Sequence, residues 1–412
     1  MNPYGYALSI TSQFYYCSLP LRLDTYSRCQ FNCAYCFANA RGGNRDDRAI
    51  MIADLAQLQR QFEASRTAKP KSAIVELLEA RQPIHFGGMS DPFMPLEERQ
   101  HQSLDILRML ADYKYPTVIS TKSTLPSEDR YLSVLKTGRF IVQVSLSTLD
   151  ENLSSRIELG TPGPRQLLRM VRTLSREGIP VAIRAQPLLP CRDSDGEEII
   201  KAAAECGARH IAFEHLKLPL ERNWNGTEIL SRALGFDMRQ AYANWGATRV
   251  GREWILPVRL RTPTMLKLRA NAHSAGLTFG AADNDLLLLS DGRCCCSGID
   301  LLDDGVKFFR YTYLEAARTG LKERYISIQA LNSIWRPNAS IGRYVNSRSR
   351  RAASHLGTNI EAYIKGNWNG RTNGNSPAAL FGVRSSGLSD ADGFNLYELT
   401  DEIRPHIQPD ER

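Results

Sequence analysis

Strand and helix patterns alternate along the first half of the chain. Short β-rich segments predict strands at residues 19–23, 83–86, 117–120, 140–146, 180–185 and 210–213. Between them, apolar residues at helical spacing predict helices at residues 52–64, 72–81, 97–112, 126–136, 164–177 and 195–206. Such alternation indicates an α/β fold with a parallel sheet. Folds of this kind bind ligands at the carboxyl ends of their strands, so polar residues there are candidate site residues.

The composition excludes several other classes of protein. The chain has 412 residues, of which 42% are hydrophobic and 23% charged, as in globular proteins rather than disordered ones. No apolar run approaches the ~18 residues of a membrane span, and the first residues lack a secretory signal. We therefore expect a cytoplasmic protein without membrane contact. Its three predicted parts are residues 1–215, 216–300 and 301–412, the last mostly helical or irregular.

Three of the nine cysteines form a compact motif. Cys29, Cys33 and Cys36 have the spacing C-x3-C-x2-C, within a segment of small and polar residues. Thiolates this close suit an iron–sulfur cubane, in which three protein ligands leave one iron open. The alternative is a zinc site, but zinc usually takes four ligands in paired C-x2-C units, and the chain has no second such unit.

With Tyr35 before the last cysteine and Phe37 after it, this motif resembles the signature of radical S-adenosylmethionine enzymes. The resemblance implies a partial (β/α)6 barrel that carries a [4Fe-4S] cluster on Cys29, Cys33 and Cys36. In that family the open iron chelates the amino and carboxylate groups of S-adenosylmethionine. Electron transfer then cleaves the sulfonium, giving methionine and a hydrogen-abstracting 5′-deoxyadenosyl radical. A flavodoxin-like or ferredoxin-like reductant is the implied partner.

Further segments are similar to the spore photoproduct lyase-like branch of this family. They are GGMSDPFMPLE from Gly87, STKS from Ser120, and the stretch from Ser145 to Pro190 that contains ELGTPGPR. The resemblance covers residues 19–215, about half the chain. Membership of a branch does not fix a substrate.

The resemblance assigns candidate cofactor contacts. Gly87 and Gly88 occupy the position at which the family holds the amino group of S-adenosylmethionine. Met89 stands where the family often has Glu, so only the backbone role carries over, and an ordinary turn is the alternative. Asp91 follows closely and could reach the same pocket.

Other polar residues mark the ends of later strands. Ser145 and Ser147 suit a ribose or a carboxylate, and Glu158 or Arg165 could contact the ribose or the sulfonium. Arg184 lies within a strand, so it either faces the barrel interior and pairs with the cofactor's carboxylate, or points outward into solvent. The remaining candidates are Thr121, Lys122, Ser123, Glu214, His215 and Lys217.

A second group of cysteines, Cys294, Cys295 and Cys296, is contiguous. In an extended chain alternate side chains share a face, so two of the three could bind one metal centre. We expect either an auxiliary iron–sulfur cluster, completed by Cys17, Cys191 or Cys206, or a thiol that donates hydrogen to a substrate radical. Inert buried thiols are the alternative, although the flanking Gly and Asp indicate an exposed loop.

Basic residues concentrate after the predicted barrel, in a chain of net charge +8. Six cations lie between residues 249 and 269 around Trp254, namely Arg249, Arg252, Arg259, Arg261, Lys267 and Arg269. A second run, residues 343–351, is rich in Arg. Cations among aromatic residues favour contact with DNA or RNA, and a solvated helix with buried Trp is the alternative.

Together these features predict an enzyme that abstracts hydrogen from a nucleic acid base, in repair or modification, as a lyase or a base-modifying enzyme. One alternative is a radical modifier of a peptide or small molecule. Another is an iron–sulfur protein that binds nucleic acid without catalysis.

Overall fold

The computed structural model describes residues 4–5, 7–40, 49–67, 71–220, 225–292, 296–302, 307–342, 344–346, 359–370 and 375–407. The strands in chain order are β1 Leu8–Thr11, β2 Leu21–Leu23, β3 Asn32–Cys33, β4 Ile84–Phe86, β5 Thr117–Thr121, β6 Phe140–Ser145, β7 Glu158–Leu159, β8 Val181–Leu188, β9 His210–His215, β10 Leu218–Pro219, β11 Thr248–Val250, β12 Glu253–Ile255, β13 Thr278–Ala281, β14 Val345–Asn346, β15 Val383–Ser389 and β16 Asn395–Leu399. The helices are α1 Phe37–Ala40, α2 Leu55–Ala64, α3 Ala73–Glu79, α4 Glu97–Gln100, α5 Gln102–Asp112, α6 Asp129–Thr137, α7 Glu151–Ile157, α8 Pro164–Arg176, α9 Asp193–Glu205, α10 Gly226–Leu234, α11 Met238–Asn244, α12 Val258–Ser274, α13 Tyr313–Thr319 and α14 Ile360–Trp368.

The central sheet of the described residues has nine strands in the order β13-β9-β8-β6-β5-β4-β2-β1-β14. Every neighbouring pair from β2 to β13 is parallel, whereas β1 is antiparallel to β2. The six predicted strands are β2, β4, β5, β6, β8 and β9, and they stand side by side in chain order. The predicted α/β class with a partial barrel is therefore confirmed.

Helix α8 shows why the sequence pattern predicted these elements. Pro164 occupies its first turn, where a missing N–H costs no hydrogen bond. Leu167, Met170, Val171 and Leu174 are buried, and their spacing of three and four residues places them on one face. Gly178 follows with a φ of +78°, which ends the helix at little cost.

Side chains of the central strands alternate between two apolar environments, because successive residues of a strand point to opposite faces. One face packs against the helices, and its residues include Ile119, Val142, Ile183 and Ile211. The other face lines the concave side of the sheet, which we call the lumen. Part of the lumen is filled by a small apolar cluster, whose buried members are Leu19, Val118, Ile141, Ala182, Ile299 and Leu301.

The structure also contains strands that the pattern did not predict. β13 adds a seventh parallel strand beside β9, and β15 pairs with β16 as an antiparallel hairpin. The three-stranded sheet β10-β12-β11 follows β9. Within the described ranges, no helix has both the length and the apolar character needed to cross a membrane.

Candidate functional site

The three cysteines of the C-x3-C-x2-C motif lie in the loop between β2 and α1. Strand β3 pairs with β7, which places Cys33 opposite Glu158, and the Ala34 amide donates to the Ile157 carbonyl at 2.7 Å. Cys33 is buried in an apolar cluster, and Cys29 and Cys36 pack against that cluster. The fold therefore fixes the motif to the segment that follows α7.

The three thiols are close enough for a negative charge on one to raise the pKa of another. Burial raises the pKa of Cys33 well above its usual value, and charges on Cys36 and Cys29 add to the rise, whereas Lys122 opposes it. Burial also raises the pKa of Cys29 to about 12, although hydrogen bonds from the backbone amides of Asp91 and Phe31 favour its thiolate. A bound cation reverses this preference for the protonated thiol, because a coordinating thiol is deprotonated. Hydrogen bonds to sulfur are also typical of iron–sulfur ligands.

The arrangement of the three cysteines favours one of the two metal groups considered, a zinc ion or an iron–sulfur cluster. Across the described part of the chain, no three or more His, Cys, Asp or Glu side chains are grouped so that they could hold a metal ion. Zinc needs its ligands around a single point, whereas the ligands of a cubane bind separate irons. The donor set of three neighbouring thiols thus fits an iron–sulfur cluster better than a zinc ion.

The turn after β4 requires glycine at two positions. Gly87 has a φ of +88°, and a Cβ there would lie 2.6 Å from the Ser120 carbonyl oxygen. A Cβ at Gly88 would overlap the side chain of Arg22. The Gly87 amide donates to the Leu23 carbonyl at 2.8 Å, which holds the turn against β2. The backbone of this turn is therefore fixed at the carboxyl end of β4, near the cysteine loop.

Asp91 connects this turn to the end of β5. Its carboxylate accepts hydrogen bonds from the Thr121 hydroxyl at 2.9 Å and the Lys122 amide at 2.6 Å. Burial raises the pKa of Asp91 to about 6, although these hydrogen bonds oppose the rise. The backbone amide of Asp91 also donates a hydrogen bond to Cys29. Asp91 therefore connects the glycine turn after β4, the end of β5 and the cysteine loop.

Glu158 is held by protein donors on both carboxylate oxygens. Lys122 Nζ lies 2.6 Å from Oε1, the Tyr35 hydroxyl donates to the same oxygen, and the Ser154 hydroxyl donates to Oε2 at 2.9 Å. Although burial alone would raise it, Lys122 and these hydrogen bonds hold the pKa of Glu158 below its usual value. The predicted contact of Glu158 with a ribose or sulfonium would share the carboxylate with these three partners. Arg165, its alternative, has an exposed side chain.

The two serines and Arg184 lie on the neighbouring strands. Lys122 Nζ approaches the Ser145 carbonyl at 3.4 Å, and the Ser147 hydroxyl lies 2.8 Å from the Tyr35 hydroxyl. Arg184 is paired with Ser145 in the sheet register. Its guanidinium contributes to lowering the pKa of the buried His85, so it faces the lumen rather than outer solvent.

Of the contiguous cysteines, Cys294 and Cys295 lie outside the described residues. The Cys296 carbonyl accepts a hydrogen bond from the Gln143 side chain at 2.6 Å, which places this segment against the lumen. Burial raises the pKa of Cys17 to about 12, and the charge of Cys296 is the next largest cause. Among the proposed additional ligands, Cys17 thus lies near Cys296, whereas Cys206 is buried at the carboxyl end of α9 and Cys191 is exposed.

The expectation of an exposed loop around these cysteines is wrong for its described flanks. Asp291 and Ser297 are buried. The Asp291 carboxylate accepts hydrogen bonds from the Phe279 amide at 2.7 Å and from Arg269 at 3.0 Å, so its burial leaves no unpaired charge.

The six cations between residues 249 and 269 differ in burial and in whether an acidic side chain pairs with them. Arg261 is buried, 3.3 Å from Asp283 and 2.5 Å from Asp285, and Arg269 pairs with Asp291. Lys267 pairs with Glu197 at the surface. Arg261 and Arg269 are therefore not available to a nucleic acid, because acidic partners that are remote in sequence already neutralise them. The exposed members are Arg249, Arg252, Arg259 and Lys267, of which Lys267 carries the ion pair with Glu197.

The basic run at residues 343–351 lies outside the described residues except for 344–346. Trp254 keeps 38% of its surface exposed.

Comparison with known proteins agrees with the fold and the cysteine motif. Residues 23–206 match the family model of the Radical SAM superfamily. An uncharacterized protein, ORF301, of Acidianus two-tailed virus is 29% identical over 132 residues, which are 31% of this chain and 43% of the viral protein. The chain thus matches less than half the length of that relative.

Two kinds of solved structure are also similar to the chain. A spore photoproduct lyase complexed with dinucleoside spore photoproduct gives a TM-score of 0.47 at 12% identity, over 67% of this chain and 79% of that one. Streptococcus suis SuiB bound to S-adenosylmethionine gives 0.42 at 16% identity, over 64% and 51%. The matched residues 23–206 contain the cysteine motif and the parallel strands β4, β5, β6 and β8.

Proposed function

We propose that the protein reductively cleaves S-adenosylmethionine and abstracts hydrogen from a nucleic acid base. The observation that carries the first half is the position of the cysteine loop. Cys33 lies near the Lys122 ammonium, which follows β5, and Cys29 accepts a hydrogen bond from the amide of Asp91, which follows the Gly87–Gly88 turn after β4. The match of residues 23–206 to the Radical SAM superfamily model supports the same activity.

The chain's own residues have distinct roles in this proposal. Cys29, Cys33 and Cys36 would hold a [4Fe-4S] cluster, which would supply the electron for cleavage of the bound cofactor. Because the chain provides three thiolates, one iron would be left for the amino and carboxylate groups of S-adenosylmethionine. The Gly87–Gly88 backbone borders that amino group, and Lys122 supplies positive charge beside Cys33 for the carboxylate.

Ser145 and Ser147 offer hydrogen bonds to the ribose. Glu158 fixes Lys122 and Tyr35 through two of the three protein hydrogen bonds that its carboxylate accepts, and its remaining lone pair is available to the ribose or sulfonium of the cofactor.

The nucleic acid half of the proposal is supported by the hairpin surface, which we define as β11, β12 and the turn between them. Arg249 lies opposite Trp254 in the antiparallel register, and Val250 is 52% exposed. Strand β12 also pairs with β10, which follows β9 within three residues, so the hairpin surface stands near the carboxyl end of the barrel. An exposed indole beside guanidinium groups can stack on a base while the cations neutralise phosphates.

The test is anaerobic turnover with a chemically reduced, reconstituted protein. The substrates are single-stranded and duplex oligonucleotides deuterated on their bases or sugars, and a deuterated peptide mixture serves as the alternative substrate. Deuterium in the 5′-deoxyadenosine product identifies the molecule from which hydrogen was abstracted. Transfer only from peptide would replace the proposed substrate class, and an absence of cofactor cleavage would overturn the enzymatic proposal itself.

A further inference from the structure

The segment between β4 and α4, residues 87–96, is hydrogen-bonded to the cysteine loop at successive residues. The Ser90 hydroxyl donates to the Tyr26 carbonyl at 2.6 Å. The next residue, Asp91, donates through its backbone amide to Cys29. The path of this segment therefore decides where a backbone amide meets the first cysteine of the motif.

The side chain of Asp91 is anchored to the end of β5. Its carboxylate accepts hydrogen bonds from the Thr121 hydroxyl at 2.9 Å and the Lys122 amide at 2.6 Å, and it also accepts one from the Phe93 amide at 2.9 Å. Since β5 lies between β4 and β6 in the central sheet, this anchor belongs to the barrel itself. Only Cα and Cβ separate the carboxyl group of Asp91 from its backbone nitrogen, so an anchored carboxylate restricts the direction of the amide.

A hydrogen bond to a cysteine sulfur influences electron transfer at an iron–sulfur cluster. The reduction potential of such a cluster depends on the hydrogen bonds to its sulfurs and on its net charge. An N–H donor stabilises the reduced state more than the oxidised state, because the reduced cluster is the more negative of the two. The Asp91 amide should therefore raise the potential of a cluster on Cys29, whereas the negative charge of its carboxylate should lower it.

We infer that Asp91 is a positioning residue, whose anchored side chain holds its backbone amide on the sulfur of Cys29 and thereby raises the reduction potential of a cluster bound there. The inference rests on the proposed function only for the presence of that cluster. The hydrogen bonds that position the amide lie within the chain itself.

Thr121→Val tests the anchor without changing the charge of Asp91, because valine has the shape of threonine but donates no hydrogen bond to the carboxylate. Thr148→Val is the matched control, since the buried Thr148 hydroxyl donates to the Asp195 carboxylate at 3.0 Å. Each threonine hydroxyl also accepts the backbone amide two residues further on, so the two changes remove the same kinds of hydrogen bond. The control therefore accounts for any general loss of stability.

The first measurement is hydrogen exchange of the Asp91 amide, followed by NMR in the cluster-free protein. Exchange should be about tenfold faster in Thr121→Val than in the wild type, since a factor of ten corresponds to the loss of roughly one hydrogen bond. Thr148→Val should exchange at the wild-type rate. Equal rates in all three proteins would overturn the inference, whether or not the chain binds iron.

The second measurement is the midpoint potential of the reconstituted cluster, obtained by anaerobic redox titration. Thr121→Val should shift the potential to more negative values, and Thr148→Val should leave it unchanged. If Asp91 acts only through its charge, Asp91→Asn raises the potential while Thr121→Val does not change it, and the inference is overturned. Both measurements need neither S-adenosylmethionine nor a substrate. A protein that binds the cluster but does not cleave the cofactor would disprove the proposed function and leave both results valid, so the two failures are distinguishable.

Discussion

Lys122 and Glu158 form a buried ion pair, with 2.6 Å between Nζ and Oε1, directly beside Cys33. Lys122 follows β5, and Glu158 begins β7, the strand that pairs with the cysteine loop. The pair therefore joins the edge of the barrel to the cysteine loop. Because Tyr35 donates to the same carboxylate, one buried charge positions two elements of the candidate site.

We predict that Glu158→Gln destabilises the protein by about 3 kcal/mol, because it leaves the Lys122 ammonium buried without its counter-charge. Denaturant unfolding of the cluster-free protein measures this change. Glu177→Gln is the matched control, since it breaks the exposed pair between Lys136 and Glu177 and should cost less than about 1 kcal/mol. Equal losses in the two variants would show that the buried pair contributes no more than a surface pair.

A second prediction concerns the cluster ligands. Anaerobic reconstitution should give about four irons per chain and absorbance near ~400 nm from thiolate-to-iron charge transfer. Changing Cys29, Cys33 and Cys36 together to Ala should abolish cofactor cleavage, because no thiolate remains to hold the cluster. Wild-type rates of cleavage in that variant, measured as 5′-deoxyadenosine formed, would contradict the assignment of these ligands.

The barrel could be predicted from the sequence because its signals are local. The strands from β2 to β9 carry β-rich runs, and helices such as α8 have a regular apolar face. Strand β13 escaped prediction because its four residues, TFGA, include a glycine and carry little strand signal of their own.

In the candidate site too, local features could be predicted from the sequence and contacts between distant residues could not. Three cysteines within eight residues form a local motif, whereas the contact between Tyr35 and Glu158 spans 123 positions. Arg261 was expected to be exposed for the same reason. Its partners, Asp283 and Asp285, reach it only through the packing of α12 against the end of the sheet. Sequence patterns carry no record of such distant pairs.

The third prediction tests the contiguous cysteines by changing Cys294, Cys295 and Cys296 together to Ala. If they hold an auxiliary cluster, iron content falls below that of the wild type, and the variant lacking Cys29, Cys33 and Cys36 still binds iron. If one of them donates hydrogen, cofactor cleavage continues but the product is lost or altered. Unchanged iron content, turnover and product would make these thiols inert.

The fourth prediction is a pH dependence of stability that arises from His210. Burial lowers the pKa of this side chain to about 4, although Asp291 partly opposes the shift. The unfolded chain then binds a proton below pH ~6.5 that the folded chain does not, so stability present above that pH is lost as the pH falls toward 4. The loss should reach about 3 kcal/mol. Denaturant unfolding between these pH values should show a shallower dependence for His210→Gln, and an identical slope would refute the role of His210.

The fifth prediction is that the hairpin surface binds nucleic acid. Fluorescence anisotropy with single-stranded and duplex oligonucleotides should show affinity that falls by ~0.7–0.9 log units per phosphate contact for each decade of salt. Arg249→Ala and Arg252→Ala should weaken binding and reduce this slope, because each removes a cation from the surface. Trp254→Ala should weaken binding by about 1–3 kcal/mol with the slope unchanged, since stacking releases no counterion. A weaker salt dependence of affinity is likewise expected when Arg343, Arg348, Arg350 and Arg351 are changed to Ala.

Arg384→Ala is the control, because it removes the same charge from an exposed arginine on β15. If it weakens binding as much as the hairpin variants do, the attraction is general and the hairpin surface is not the binding site.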